Sequence, residues 1–227
     1  MNRKEFEAYK KLFLRAIRFS LVDANPGSLD EAAFPAYAHK NPIINFLFWE
    51  RLKKVMDFIE PISPFEASLD FGCGSGVLLP FLAKICSQVS AIDINISPLE
   101  KVRQYVPFPE NISIYDARQT RLEDFPSSSF NVIFALDVLE HVDGVQNTLS
   151  NLCRLLTKTG MIIVSGPTEN IIYKIGRGFA GTEYTGNYHF RNIFQIKNLL
   201  SKTLKIKNIA SLYHPIPFFE VFYGMNG

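Results

Sequence analysis

The residues most able to do chemistry lie in Leu69-Asp70-Phe71-Gly72-Cys73-Gly74-Ser75-Gly76, near the first third of a 227-residue chain. Glycines at such spacing let a backbone turn sharply and let a ligand approach bare amides, with more amides available at the start of a following helix. About twenty residues further on stands Asp93, and a carboxylate at a strand tip there can accept two hydrogen bonds from a ribose diol. Together they predict an adenosine-containing ligand. The dinucleotide fingerprint G-x-G-x-x-G cradles a pyrophosphate, but here the third glycine comes one position early. Asp70, two residues before the first glycine, would repel a pyrophosphate and could receive an ammonium group. A second cluster follows at Leu136-Asp137-Val138-Leu139-Glu140-His141-Val142-Asp143. On a helix, Asp137, Glu140 and His141 would share one face.

These groups need a scaffold, and the hydrophobic pattern supplies one. Short apolar runs at Ser68–Phe71, Val89–Asp93, Ile112–Tyr115, Val132–Leu136 and Met161–Ser165 alternate with helical patterns at Val77–Cys86, Pro98–Tyr105 and Val145–Leu156. Unbroken apolar strands alternating with helices predict a parallel sheet covered on both faces. A helical pattern at Ile193–Leu200 precedes Leu204–Leu212 and Ile216–Tyr223, two runs joined by a short turn, which permits antiparallel pairing only. Ahead of the first strand, Phe6, Tyr9, Phe13 and Ile17 predict a helix over residues 1–20. A second helix runs from Asn41-Pro42 through Ile43–Ile59, with Asn41 as N-cap and Pro42 at the first helical position. The expected organisation is an N-terminal helical cap over 1–64 and an α/β domain over 65–227.

Hydrophobic residues make up 47% of the chain and charged residues 20%, enough for a buried core and against disorder. Three cysteines, Cys73, Cys86 and Cys153, form no C-x-x-C pair, which argues against a disulfide framework or zinc ribbon and predicts a reducing, cytoplasmic setting. No apolar run reaches membrane-spanning length, and Arg15 and Arg18 interrupt Leu12–Val22, unlike a signal peptide. The net charge of +2 is uneven: residues 1–20 carry +4, 21–157 carry −7 and 158–227 carry +5. Basic ends either lie near an anionic surface or are simply solvated.

The glycine stretch and the acids after it resemble the first motifs of the class I S-adenosylmethionine-dependent methyltransferases, over roughly residues 65–225. The resemblance implies a doubly wound, Rossmann-like, seven-stranded sheet whose last strand is antiparallel, and S-adenosyl-L-methionine as cofactor. It implies that Asp70 and the backbone of Phe71, Gly72, Cys73, Gly74 and Gly76 hold the methionine portion. Asp93 would bind the ribose hydroxyls with Ile94 against the adenine; Asp116 would meet the adenine amino group with Ala117 beside it. Leu136 would bring its backbone to the methionine amino group, with Asp137 next to it. Methyl transfer from a sulfonium is an in-line displacement governed by positioning. A hydroxyl acceptor still benefits from a base, which nominates His141.

The D-x-x-E-H spacing is similar to the cluster that binds a divalent metal in ubiquinone-pathway and small-RNA O-methyltransferases. His189, in Asn187-Tyr188-His189-Phe190, is then a fourth ligand and a second catalytic candidate. The alternative is a Glu-His pair that caps a helix or packs under the cofactor. His39-x-Asn41-Pro42 is similar to the stretch before the same helix in the ubiquinone enzymes, which carry an arginine after the proline. This chain has Ile43-Ile44 there, leaving Arg51 for any such role. Residues 167–190 read as a lid insert, with Arg177 and Tyr184 as substrate contacts. The expected activity is methyl transfer to a small or lipid-linked acceptor, at an oxygen, with no nucleic-acid partner. The basic amphipathic stretches 1–20 and 171–177 either make peripheral membrane contact at an anionic surface or, as the default reading, pack on the domain. An NAD(P)-binding oxidoreductase and a non-catalytic binding module are the rival readings.

Overall fold

A computed structural model gives the structure, and residues 1–22, 37–38, 42–168, 191–212 and 217–226 are described. Seven strands form one sheet in the order β3-β2-β1-β4-β5-β7-β6. The chain divides into two compact units, Met1–Thr120 and Arg121–Gly227.

The first unit holds helices α1 (Arg3–Val22) and α2 (Pro42–Ile59), strand β1 (Phe65–Phe71), α3 (Leu79–Ile85), β2 (Cys86–Asp93), α4 (Ser97–Val102) and β3 (Ile112–Asp116). Strand β2 pairs in parallel with β1 and with β3. Helix α2 buries Trp49, Leu52, Val55, Met56 and Ile59, one helical stripe, and α1 buries Phe6, Phe13, Ala16 and Ile17. Both N-terminal helices therefore pack as amphipathic elements of this unit. Pro42 opens α2 as expected; its Asn41 cap lies outside the described residues.

The second unit holds β4 (Phe130–Leu136), α5 (Val145–Leu155), β5 (Leu156–Pro167), α6 (Ile193–Leu200), β6 (Lys205–Leu212) and β7 (Phe219–Met225). Val132–Ala135 and Ile162–Val164 are buried on both faces, as strands covered by helices require. Strand β4 pairs in parallel with β5, while β7 runs antiparallel to both β5 and β6. The terminal hairpin is pinned by polar groups: Ser211 Oγ donates to Glu220 Oε1 at 2.5 Å, and Lys197 lies 3.8 Å from that buried carboxylate. Asn192 and Gln195 cap the start of α6 reciprocally.

Three expectations need correction. The helix after the glycines begins at Leu79, not Val77, because a hydrogen-bonded turn continues through Gly76 and Leu78. Helix α4 stops at Val102, short of Tyr105. Asp137–His141 is not an α-helix: Asp137 takes a left-handed backbone conformation (φ 53°) and only Leu139–His141 forms a 3-10 turn. Most of the lid segment, residues 169–190, lies outside the described residues.

Candidate active site

Gly72, Gly74 and Gly76 all have positive φ (75°, 53° and 73°), a region that penalises any side chain. The Gly72 and Cys73 amides both donate to the Ile92 carbonyl, at 2.8 and 3.3 Å, which ties the turn to β2. A Cβ on Gly76 would stand 3.0 Å from the Phe108 ring, a tight contact added to the strain of its positive φ. Tyr9 of α1 donates its hydroxyl to the Val77 carbonyl just beyond the turn. Sequence reasoning assigned Tyr9 to the helix core only; nothing local reveals a contact across so many residues.

Three carboxylates line the C-terminal ends of adjacent strands in this unit. Asp70 is buried in β1, and desolvation, aided by nearby Asp93, pushes its carboxyl up to about 7. Asp93 ends β2; its Oδ2 accepts the Gly74 amide at 2.8 Å and its Oδ1 the Asn95 amide at 2.9 Å. Burial raises its pKa, and those backbone hydrogen bonds oppose the rise. Asp116 ends β3 in register with Asp93. Its oxygens accept from Arg118 Nε at 2.9 and 3.1 Å and from an Arg118 terminal nitrogen at 2.5 Å, and this guanidinium holds the carboxyl below its ordinary value. Arg118 went unremarked in the sequence, although a cation two residues past a strand-end acid is a readable signal.

The Ala117 amide donates to the Asp93 backbone carbonyl at 2.8 Å, so Ala117 offers a ligand its methyl group and not its N–H. Ile94, immediately after Asp93, is 69% exposed at the strand end. Cys73 is buried, and desolvation pushes its thiol up, so it stays protonated and is no nucleophile.

In the second unit, Leu136 closes β4. The Asp137 amide donates to the Ser165 carbonyl at 2.9 Å while Ser165 Oγ donates to Asp137 Oδ1 at 3.0 Å. Glu140 is buried, yet His141 beside it is exposed, so the D-x-x-E-H residues do not share one face. Among the described residues no group of three or more His, Cys, Asp and Glu could hold a metal ion. His189, Arg177 and Tyr184 lie outside the described residues. Arg51 is buried in α2, donating to the Tyr37 hydroxyl at 2.8 Å with its guanidinium 5.0 Å from the Phe48 ring. No described helix is long and apolar enough to cross a membrane.

A family model described as a methyltransferase domain matches residues 69–164, spanning the glycine turn through β5. The ubiquinone biosynthesis O-methyltransferase of Actinobacillus pleuropneumoniae serotype 7 is 33% identical over 175 residues, covering 70% of this chain and 73% of that one. Its serotype 5b counterpart is 34% identical over 104 residues, covering 43% and 44%, and the Rickettsia canadensis protein 32% identical over 115, covering 50% and 48%. In those two matches the chain spans under half the relative's length. Two solved structures share the fold. The N-methyltransferase NodS of Bradyrhizobium japonicum, in complex with S-adenosyl-L-homocysteine, has a TM-score of 0.62 at 15% identity and covers 95% of this chain and 98% of that one. Magnesium protoporphyrin IX methyltransferase of Synechocystis, with bound S-adenosylhomocysteine, has 0.61 at 14%, covering 94% of each. The shortened glycine spacing, the buried acid ahead of it and these relatives do not favour a nicotinamide enzyme, and the chain belongs to the class I S-adenosylmethionine-dependent methyltransferases.

Proposed function

We propose that this chain transfers a methyl group from S-adenosylmethionine to an oxygen of a small or lipid-linked acceptor. The observation that carries the cofactor half is the row Asp70, Asp93 and Asp116 on three adjacent strand ends beside glycines of positive φ. The chemistry of that donor set fits the cofactor. A desolvated Asp70 is stabilised by an ammonium group, Asp93 retains lone pairs for a ribose diol, and exposed Ile94 gains from an adenine face. Asp116, held rigid by Arg118, is an acceptor for an exocyclic amine, and Ala117 supplies apolar contact. Phe71, Gly72, Cys73, Gly74 and Gly76 give the backbone approach, and Leu136 with Asp137 gives further backbone contacts to the amino-acid portion.

When bound, S-adenosylmethionine supplies an electrophilic methyl group on a good leaving group. The protein's part is to orient the acceptor, exclude water and take the acceptor's proton. We assign the proton to His141, the exposed imidazole beside buried Glu140, with His189 as the second candidate. Residues 167–190 serve as the lid, Arg177 and Tyr184 as acceptor contacts, and residues 1–64 as the cap. An oxygen acceptor is supported by the relatives named above, which are O-methyltransferases.

Calorimetric titration with S-adenosylhomocysteine tests the cofactor half. Binding by the wild type and a loss of roughly ten- to hundredfold in Asp93→Ala are expected, the scale of hydrogen bonds to a charged group. No binding by the wild type overturns the reading. Turnover across phenol, carboxylate and amine acceptors tests the second half: product on nitrogen alone refutes oxygen transfer. His141→Ala should lower kcat by roughly a hundredfold or more while leaving S-adenosylhomocysteine affinity unchanged.

A further inference from the structure

From Ala8 to Ser20, helix α1 carries Lys10, Lys11, Arg15 and Arg18 and no acid. Its inner face buries Phe13, Ala16, Ile17 and Ser20. The outer face is not simply polar: Leu12 and Phe19 are 42% and 44% exposed among the cations. Phe19 stacks on Tyr105 beyond α4, with centroids 5.4 Å apart and rings 25° from parallel, yet Tyr105 is itself 43% exposed. The Arg15 guanidinium lies 5.5 Å over the Phe19 ring. Lys11, Leu14, Arg15, Arg18 and Phe19 line a shallow groove of about 390 Å³, three cations and two apolar side chains with no carboxylate among them.

Three large apolar side chains, Leu12, Phe19 and Tyr105, stand partly in water on and beside this cationic face, two of them stacked on each other, which is a patch and not a single stray residue. We propose that the outer face of α1, extended by Tyr105, docks on an anionic phospholipid bilayer. The chemistry matches on both counts. The cations complement phosphate headgroups, and the rings and Leu12 enter the boundary between headgroups and acyl chains, where aromatic side chains reside. The inner face stays packed, so the helix lies on the bilayer without leaving the domain. A nucleic-acid duplex, with its bases already paired and stacked, would satisfy the cations but leave Leu12 and the Phe19–Tyr105 pair in water, which favours the bilayer.

The experiment is vesicle flotation of the full chain in 0.1 M salt. Phosphatidylglycerol–phosphatidylcholine vesicles and pure phosphatidylcholine vesicles are compared. S-adenosylhomocysteine titration is run on every variant as an independent check of folding, so failure here is separable from failure of the proposed activity. Expected is binding to anionic vesicles only. Arg15→Glu with Arg18→Glu should weaken it at least tenfold, and so should Leu12→Ser with Phe19→Ser. Equal binding to both vesicle types, or none to either, overturns the proposal. So does unchanged binding in either double variant. Salt-sensitive capture of duplex RNA that ignores Leu12→Ser with Phe19→Ser identifies a nucleic-acid surface. Concentration-dependent dimerisation abolished by Phe19→Ser identifies a second copy as the occupant; either result refutes the bilayer.

Discussion

Asp70 is the side chain through which the proposed cofactor site would set a measurable condition on binding. Burial raises its carboxyl from the ordinary carboxylate range to about 7, with Asp93 adding to the effect. A raised acid favours folding while protonated, so its contribution is complete below the unfolded pKa near 4 and is lost as pH climbs through about 7. The cost of ionising it in the unliganded protein is roughly 4 kcal/mol. An ammonium group beside it reverses the preference, so ligand binding near pH 6.5 should release a proton. Calorimetry in phosphate and in imidazole measures that release as a buffer-dependent enthalpy. Asp70→Asn should abolish the difference, weaken S-adenosylhomocysteine at least tenfold and raise the unliganded melting temperature at pH 8. An unchanged buffer dependence in that variant would show the carboxyl is not the titrating group.

At the scale of elements, the glycine turn is held from two sides: by the Ile92 carbonyl of β2 and by Tyr9 of α1. Burial pushes the Tyr9 phenol above its ordinary value, so it remains a donor throughout the working pH range. Tyr9→Phe keeps the ring but leaves the Val77 carbonyl without this donor, at a cost of about 1–3 kcal/mol in urea unfolding. Because the lost contact abuts the turn, S-adenosylhomocysteine affinity should also fall several-fold. A stability loss with affinity untouched would make Tyr9 a packing residue only. Gly76→Ala should be worse for binding, since it meets both a positive φ and the Phe108 ring.

The same pattern explains what the sequence reveals and what it hides. Strands β4 and β5 were readable because both faces are buried and the apolar run is unbroken; the glycines and the three acids were readable because their spacing is local. The start of α3 lies two residues later than the pattern indicates because the glycine turn consumes Val77 and Leu78 in its own hydrogen-bonded turn. The condition that would put Asp137, Glu140 and His141 on one helix face fails for a different reason. Ser165, far along the chain on β5, bonds both the backbone and the side chain of Asp137 and holds it left-handed. Periodicity carries no trace of such a contact. Nor does the sequence show that Arg51, named there for a cofactor-carboxylate role, is buried against Tyr37 and Phe48.

For the whole molecule, the ligand preference inferred from one short motif must appear as a change in global stability. A ligand that binds only the folded chain stabilises it by RT ln(1 + [L]/Kd), about 2.7 kcal/mol at a hundred times Kd. For a chain of this length that corresponds to a melting shift of roughly 5–10 °C. S-adenosylhomocysteine should produce it and NAD at the same concentration should not, because a pyrophosphate would meet Asp70 where a dinucleotide enzyme presents bare amides. Asp93→Ala should shrink the S-adenosylhomocysteine shift, since it removes both the diol acceptor and the carboxylate that orders Gly74. A shift with NAD that survives Asp93→Ala would mean that the glycine turn binds phosphate, and the charge argument built on its flanking acids would fail with it.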